Sequence, residues 1–134
     1  MANLTTVEGI GEVYAGQLQQ AGIVTTDDLL AAGADPQGRS GIAERTGISS
    51  KLILEWINHV DLFRIKGVGE EYSDLLEEAG VDTVPELAQR NPQHLYTKLV
   101  EVNKEKKLVR RLPSEGQVGD WIQQAKSLPR VITY

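Results

Sequence analysis

The chain has 134 residues, a formal net charge of −5 and no cysteine. Its hydrophobic content of 40% and charged content of 25% are those of a globular protein with one ordinary domain or two small ones. Without cysteine there are no disulfides, thiol catalysis or cysteine zinc sites, which is compatible with the reducing cytoplasm in which we expect the protein. We expect no membrane helix, since no apolar run approaches about 18 residues. We expect no signal peptide, since the stretch from Met1 to Thr6 has neither a basic region nor an apolar core.

The charge is unevenly distributed along the sequence. Residues 1–58 carry 3 basic and 7 acidic side chains, residues 59–97 carry 3 and 8, and residues 98–134 carry 8 and 4. The field of the whole molecule therefore repels polyanions, and only the last third is expected to attract one.

Helical periodicity and helix-terminal residues divide the first half into several elements. Gly22 is suited to end a helix, Thr25 to begin a short one with carboxylates in its first turn, and Ser49 to cap a longer one. The predicted elements are a helix over 12–21, a short helix after 25, a turn-rich loop over 33–38, a short helix over 40–46 and a long helix over 50–63. We expect the long helix to be largely buried and to join the two halves.

The second half also contains residues that are suited to begin and end helices. Thr83 and Glu86 are spaced as a capping box, as are Ser114 and Gln117, and Asn91 precedes a proline that opens a helix. The predicted elements are a helix from 70 to Gly80, a short helix from 83, a helix from 91 through 102, a basic stretch over 103–111, a helix from 114 to Pro129 and an apolar tail over 131–134 that folds back onto the core. No β-alternating run is present, so the sequence predicts an all-α fold.

One phrase of sequence occurs twice. Gly9-Ile10-Gly11-Glu12-Val13-Tyr14 and Gly67-Val68-Gly69-Glu70-Glu71-Tyr72 are 58 residues apart, whereas Trp56-Ile57 and Trp121-Ile122 are 65 apart, so the second copy carries seven extra residues. A shared period with shared turn chemistry indicates a duplicated unit. We predict two repeats, 1–58 and 59–134, the second with a basic insertion, packed around the shared long helix as one compact unit.

Each copy of the phrase places two glycines in a turn between helices. We expect Gly67 and Gly69 to adopt φ > 0, Val68 to pack between the helices, and the first amides of the next helix to stay uncovered. Such a turn can hold an anion, typically a phosphate, or it can serve only as a close helix–helix corner. The same alternatives hold for the turn formed by Gly9, Ile10 and Gly11.

The first half of the chain has, in order, Gly-Ile-Gly, Leu, Ala-Gly-Ile, Thr and Leu-Leu, followed by Ile48-Ser49-Ser50 and a long helix. This order resembles that of the helix-hairpin-helix domains of the recombinase N-terminal and polymerase α C-terminal type. The resemblance covers nearly the whole chain in two copies. Residues 64–69 and 108–113 also resemble a family of unknown function seen in cyanobacteria, which implies an architecture but no activity.

The first resemblance implies that paired turns grip two phosphates of a duplex without reading its sequence. The family usually has a basic or neutral residue soon after the second glycine, whereas this chain has Glu12 in one copy and Glu70 and Glu71 in the other. Those carboxylates would repel a phosphate from the helix start. The positive charge of Lys66 favours phosphate binding only at the second turn, because the equivalent residue of the first turn is Glu8.

The basic stretch offers a second way to contact phosphates. Between residues 98 and 111 the sequence has six basic and two acidic side chains. The basic stretch is either a phosphate-contacting patch or a solvated face that offsets the negative charge of the rest of the molecule. The candidates in it are Lys104, Lys106, Lys107, Arg110 and Arg111, with Lys98, Lys126 and Arg130 as further contributors.

No combination of residue types in the sequence forms a catalytic constellation, and we expect no enzyme activity, metal or cofactor. The first expectation is a non-enzymatic interaction module that contacts a protein partner, a use for which acidic helix-hairpin-helix repeats of transcription factors are known. The alternative is weak, sequence-independent binding of a DNA or RNA backbone. That alternative would use Lys66, Gly67, Gly69, Lys104, Lys106, Lys107, Arg110 and Arg111.

Overall fold

The computed structural model describes residues 3–134, so Met1 and Ala2, with which the signal-peptide expectation begins, lie outside it. The described residues form a short 3-10 helix (Leu4–Thr6) and eight α-helices, with no strand, so the all-α prediction is confirmed. The helices are α1 (Glu12–Gln20), α2 (Thr26–Ala32), α3 (Pro36–Thr46), α4 (Ser50–Leu62), α5 (Glu70–Glu78), α6 (Val84–Ala88), α7 (Pro92–Lys106) and α8 (Glu115–Ser127).

The fold divides into two compact units. Unit 1 runs to Asp61 and also includes Val131–Tyr134, and unit 2 is Leu62–Arg130. The division falls inside α4, just after the boundary at residue 58 that the sequence repeat suggests. The last four residues return to unit 1, and Ile132 is buried there at 3% exposure, as expected of a tail that folds back onto a core.

Each unit has its own apolar core. The core of unit 1 takes side chains from the 3-10 helix, the first glycine turn and α1 to α4, namely Leu4, Val7, Ile10, Ala15, Leu18, Ile23, Leu29, Ile42, Ile48, Ile53, Trp56, Ile57 and Val60. The core of unit 2 takes them from the second glycine turn and α5 to α8, including Ile65, Val68, Leu75, Leu76, Val81, Val84, Leu87, Leu95, Leu99, Val109, Val118, Trp121 and Ile122. In both units the core includes the residue between the two glycines, so each turn is fastened to the unit it belongs to.

Helix α3 begins earlier than the sequence suggests. The side chain of Asp35 accepts a hydrogen bond from the amide of Gly38 at 2.7 Å, and Pro36 occupies the first helical position. An N-cap acceptor followed by a proline is a strong start signal, and it outweighs the glycine that favours a loop. The predicted loop over 33–38 is therefore wrong for its second half.

Three of the predicted N-terminal helix caps are confirmed and one is wrong. Thr25 and Ser114 form reciprocal capping boxes, and Asn91 caps α7. The predicted box at Thr83 is wrong, because Thr83 makes no side-chain cap bond. Its side chain is buried at 4% exposure, and the proline at the second helical position removes one of the two amides that a cap residue can reach.

Candidate functional site

The two glycine turns have the same backbone conformation. Gly9 and Gly67 are left-handed, with φ of 93° and 97°, whereas Gly11 and Gly69 are extended, with φ of −88° and −109°. The expected positive φ is thus confirmed for Gly67 and wrong for Gly69. Only the first glycine reverses the chain, because the second has to adopt the extended conformation of a residue that caps the following helix. Val68 is buried at 5% exposure, as expected.

A tyrosine and a tryptophan pack behind each turn. The ring of Tyr14 lies 5.1 Å from that of Trp56, and the ring of Tyr72 lies 5.2 Å from that of Trp121. Both distances fall within the range of favourable aromatic pairs. Both tryptophans are core residues, and the repeated contact holds the first turn of α1 and of α5 against its unit.

The helices that follow the turns begin without a side-chain cap. Gly11 precedes α1 and Gly69 precedes α5, and glycine has no side chain that could accept a hydrogen bond from the first amides. Helices α2, α3, α7 and α8 are instead capped by Thr25, Asp35, Asn91 and Ser114. The start of α5 therefore leaves orphan N–H groups and a partial positive charge at the turn.

The basic stretch is split between two environments. Lys104 and Lys106 lie in the last turn of α7, and Lys107 ends that helix in a left-handed conformation with φ 51°. The ammonium of Lys106 lies 2.7 Å from a carboxylate oxygen of Glu78, and this hydrogen bond and the charge of Glu78 raise the pKa of Lys106. Lys106 is therefore already paired within unit 2.

Three contacts shape the connection between α7 and α8, which occupies residues 107–114. Asn103 holds Val109 at two points, accepting from its amide at 2.9 Å and donating to its carbonyl at 3.1 Å. The side chain of Val109 is buried. The hydroxyl of Tyr72 donates to the carbonyl of Arg111 at 2.9 Å, which fastens the connection to the first turn of α5.

This arrangement brings Arg110 and Arg111 to the second glycine turn. Both line a cavity of about 390 Å³ together with Gly67, Gly69 and Tyr72, and the other basic residues of the stretch do not line it. Among the hydrogen bonds and ion pairs of residues 3–134, none engages the guanidinium of Arg110 or of Arg111. The lining of the cavity thus includes two arginines whose guanidinium groups are unpaired, together with an uncapped helix start.

The same cavity also contains acidic groups. Glu70 and Glu71 also line it, so that its two arginines are matched by two acidic residues. Lys66 does not line it, and the backbone of Lys66 is instead held by Gln124, whose amide group accepts from the Lys66 N–H at 2.8 Å and donates to its carbonyl at 3.1 Å. This clamp fixes the entry to the turn.

Unit 1 lacks the elements that complete the cavity. Its connection between α3 and α4 occupies only residues 47–49, and Glu8 stands where unit 2 has Lys66. At the position of Glu71 it has Val13, whose side chain is 76% exposed. The Gly9–Gly11 turn is therefore flanked by acidic and apolar groups, and the two turns differ in surface chemistry although their backbones agree.

Sequence reasoning treated the glycine turn and the basic stretch as separate features. The residues it missed are Tyr72 as the anchor of the connection and Gln124 as the clamp on the turn. One signal in the sequence linked the two features: the extra residues of the second repeat lie directly before α8, in the repeat that also has Lys66. The periodicity of the sequence could not predict the path of a connection of that length.

The structure defines an all-helical protein of two units, one of which presents a glycine turn faced by two arginines. Residues 8–128, which span nearly all of both units, match the family described as "Domain of unknown function (DUF4332)", and the chain belongs to that family. No solved structure matches the chain. Among residues 3–134, no helix is both long and apolar enough to cross a membrane.

Proposed function

We propose that the protein is a non-enzymatic module that binds the phosphate backbone of a nucleic acid, without reading base sequence, at the second glycine turn. The observation that carries this proposal is the cavity in which Arg110 and Arg111 face the start of α5. Phosphate contacts position a protein on nucleic acid and carry no base information, so such a site gives sequence-independent binding.

The chemistry of the cavity suits a phosphate diester. Guanidinium groups donate two parallel hydrogen bonds to phosphate oxygens, and unpaired amide N–H groups at a helix start donate to the remaining oxygens. The backbone of Arg111 is anchored by Tyr72, so less conformational freedom is lost when a ligand binds. Neither arginine has to leave an ion pair in order to bind.

The carboxylates of Glu70 and Glu71 limit the affinity rather than exclude binding. They approach the helix start from its own first turn, whereas the arginines approach from the connection before α8. With the charges balanced locally and a net charge of −5 overall, we expect weak binding that is detectable at low salt.

We further propose that both glycine turns, each with the helix that it opens, are helix-hairpin-helix units and that only the second contacts phosphate. The shared conformation of Gly9 and Gly67 supports the common origin. The absence of corresponding arginines beside the first turn supports the proposal that only the second turn contacts phosphate. The proposal places the protein in the cytoplasm, the reducing compartment that a cysteine-free sequence suits.

The test is titration of a labelled DNA duplex at several low salt concentrations, with two double variants that remove the same charge. Arg110→Gln with Arg111→Gln removes the cavity arginines, and Lys98→Gln with Lys104→Gln removes two exposed lysines of α7. We expect the double variant that lacks Arg110 and Arg111 to bind the duplex about tenfold or more weakly than the unaltered protein. Its log–log salt slope should be smaller by about 1.8 if each arginine contacts one phosphate.

Equal losses in the two double variants would show general charge attraction instead of a site at the turn. Absence of duplex binding by the unaltered protein at the lowest salt concentration would remove the proposal. A single-stranded RNA of the same length shows whether the ligand has to be a duplex.

A second candidate function is a protein contact made by unit 1, and one observation favours it. Val13 is 76% exposed and Tyr14 37% exposed in the first turn of α1, where they are flanked by Glu8 and Glu12. Exposed apolar side chains surrounded by charged ones are typical of a contact surface for another protein.

The second candidate is tested by comparing proteins recovered from cell extract by the unaltered chain, by Val13→Asp and by Val24→Asp. Val24 is the matched control, because it is also exposed, at 55%, and lies on the connection between α1 and α2. A partner lost only in Val13→Asp supports a contact at the first turn. Identical recoveries from all three proteins contradict it.

A further inference from the structure

Helix α8 packs directly against the second glycine turn. Trp121 is 2% exposed, and its indole ring lies against Gly67. Gln124 follows three residues later and contacts Lys66, the residue before Gly67. Residues three apart lie on the same face of a helix. One face of α8 therefore holds both the glycine that reverses the chain and the residue that leads into it.

The contact between Gln124 and Lys66 uses both ends of the side-chain amide. Its oxygen accepts from the Lys66 N–H at 2.8 Å, and its nitrogen donates to the Lys66 carbonyl at 3.1 Å. The N–H belongs to the peptide group before Lys66 and the carbonyl to the peptide group that leads to Gly67. Because peptide groups are planar, holding both of them fixes the direction in which the chain enters Gly67.

The amide of Gln124 is itself oriented by Asp120. Its nitrogen also donates to a carboxylate oxygen of Asp120 at 2.9 Å, and Asp120 lies four residues earlier on α8. An ionised carboxylate only accepts hydrogen bonds, so the amide nitrogen rather than the amide oxygen has to face it. With the nitrogen on that side, the oxygen is left to accept from the Lys66 N–H.

The first repeat has a different residue at the position of Gln124. The offset of 65 that relates Trp56 to Trp121 places His59 there. The two nitrogens of an imidazole point in diverging directions, so a histidine does not present a donor and an acceptor side by side as an amide does. The amide clamp therefore belongs to the repeat that also carries the cavity arginines.

We propose that Gln124, oriented by Asp120, is a positioning residue of the phosphate site, an inference that rests on the function proposed above. Neither residue lines the cavity, so neither touches the ligand. By fixing the entry to the turn, Gln124 fixes the direction of the first amides of α5, which begins after Gly69. A phosphate has to meet those amides and the two arginines at once. It binds more weakly when the turn is free to move, because hydrogen bonds weaken steeply with distance and angle and because ordering the turn costs entropy.

The test compares Gln124→Met with Gln123→Met in the duplex titration at low salt, at a temperature at which both variants are folded. Methionine is unbranched and close to glutamine in size, so Gln124→Met removes both hydrogen bonds to Lys66 and keeps most of the packing. Gln123 is exposed on the same helix and is the matched control. We expect Gln124→Met to bind about fivefold to tenfold more weakly than the unaltered chain, and Gln123→Met to bind as tightly. Amide hydrogen exchange at Lys66 and Gly67 should be faster only in Gln124→Met.

Two further measurements separate positioning from a general effect on structure. In a chain that already carries Arg110→Gln and Arg111→Gln, adding Gln124→Met should lower the remaining affinity by less than about twofold, because residues that act on one bound phosphate are coupled. Asp120→Ala should bind about threefold more weakly than Glu101→Ala, an exposed change of the same charge on α7, because the Gln124 amide is then no longer oriented.

Equal duplex binding by Gln124→Met and the unaltered chain, while loss of the two arginines weakens binding, overturns the positioning role and leaves the phosphate site standing. An equal loss from Gln124→Met with and without the arginines also overturns it, because the glutamine then acts elsewhere. Equal binding by Asp120→Ala and Glu101→Ala overturns the part assigned to Asp120. If the unaltered chain binds no duplex, the proposed function fails and the positioning role fails with it.

Discussion

The indole nitrogen of Trp121 lies 3.0 Å from the point that a Cβ atom on Gly67 would occupy. Unit 1 repeats the relationship, with 3.1 Å between the indole nitrogen of Trp56 and the corresponding point on Gly9. Each tryptophan is thus packed directly against the glycine that reverses the chain. Glycine is needed twice over at these positions, for its left-handed backbone and for the close approach of the ring.

The first prediction concerns that relationship. Gly67→Ala should lower the free energy of unfolding by about 1–3 kcal/mol, because φ of 97° strains a residue with a side chain and because Trp121 has to shift. Chemical denaturation followed by tryptophan fluorescence measures the change. Gly69→Ala is the control, since Gly69 is extended and a Cβ there meets nothing within 4 Å. If the two variants lose the same stability, the geometry of the turn is not as described.

The second prediction concerns the anchor of the arginine connection. Tyr72→Phe removes the hydrogen bond to the carbonyl of Arg111 and keeps the ring that packs on Trp121. We expect faster amide hydrogen exchange over residues 108–113 and a duplex affinity lowered about threefold to tenfold, at a cost to stability of about 0.5–1.5 kcal/mol.

Tyr14→Phe serves as the control in unit 1, where the same ring packs on Trp56 without reaching such a connection. It should leave both duplex affinity and exchange over 108–113 unchanged. Exchange that is equally slow in Tyr72→Phe and in the unaltered chain would show that Asn103 and the buried Val109 suffice to hold the connection.

The third prediction concerns the acids of the cavity. Replacing Glu70 and Glu71 together by Gln should tighten duplex binding about threefold to tenfold at low salt, because two negative charges leave the helix start while its amides remain. Glu12→Gln, at the same position in unit 1, should change affinity only through net charge. Comparable tightening in Glu12→Gln would place the bound phosphate elsewhere.

The fourth prediction concerns pH. Hydrogen bonds from the amides of Val24 and then Thr25, each 3.1 Å long, hold the pKa of Asp28 below its ordinary value of 3.8. A group with a lowered pKa stabilises the folded state above its unfolded pKa and loses that effect as pH falls through its folded pKa.

The unaltered chain should therefore be more stable than Asp28→Asn at about pH 7, and the difference should shrink only as pH falls below 3.8. Thermal unfolding of both proteins across this range measures it. Glu44→Gln, an exposed change of the same charge on α3, should show no such convergence. A difference that is independent of pH would mean that the Asp28 carboxylate does not act through its charge.

Much of the local structure was readable from the sequence. The helix starts at Thr25, Asn91 and Ser114 were predicted because a cap residue acts within three or four positions of itself. The left-handed Gly67 and the buried Val68 followed from the turn chemistry in the same way. The repeat at 58 residues predicted a duplicated unit, and the two glycine turns do share one backbone conformation.

The errors arose where a local signal competed with burial or with another local signal. Thr83 has the residue type of a cap but is turned into the core of unit 2, and sequence alone does not show which of two uses a threonine takes. Gly69 is permitted a positive φ but is extended, because it begins a helix. The start of α3 was missed for a related reason, since Asp35 and the glycine at 38 gave opposite indications.

The candidate site itself was decided by the tertiary structure. Gly67 and Arg110 are far apart in sequence, and whether they meet depends on the course of residues 107–114. That course is set by the burial of Val109 and by the hydrogen bond from the hydroxyl of Tyr72 to Arg111. Both interactions form only when unit 2 is folded. The sequence determined that this chain has two glycine turns and one basic stretch. Only packing could join one turn to that stretch, because the free energy of folding selects the direction of a connection through contacts that no short window of sequence contains.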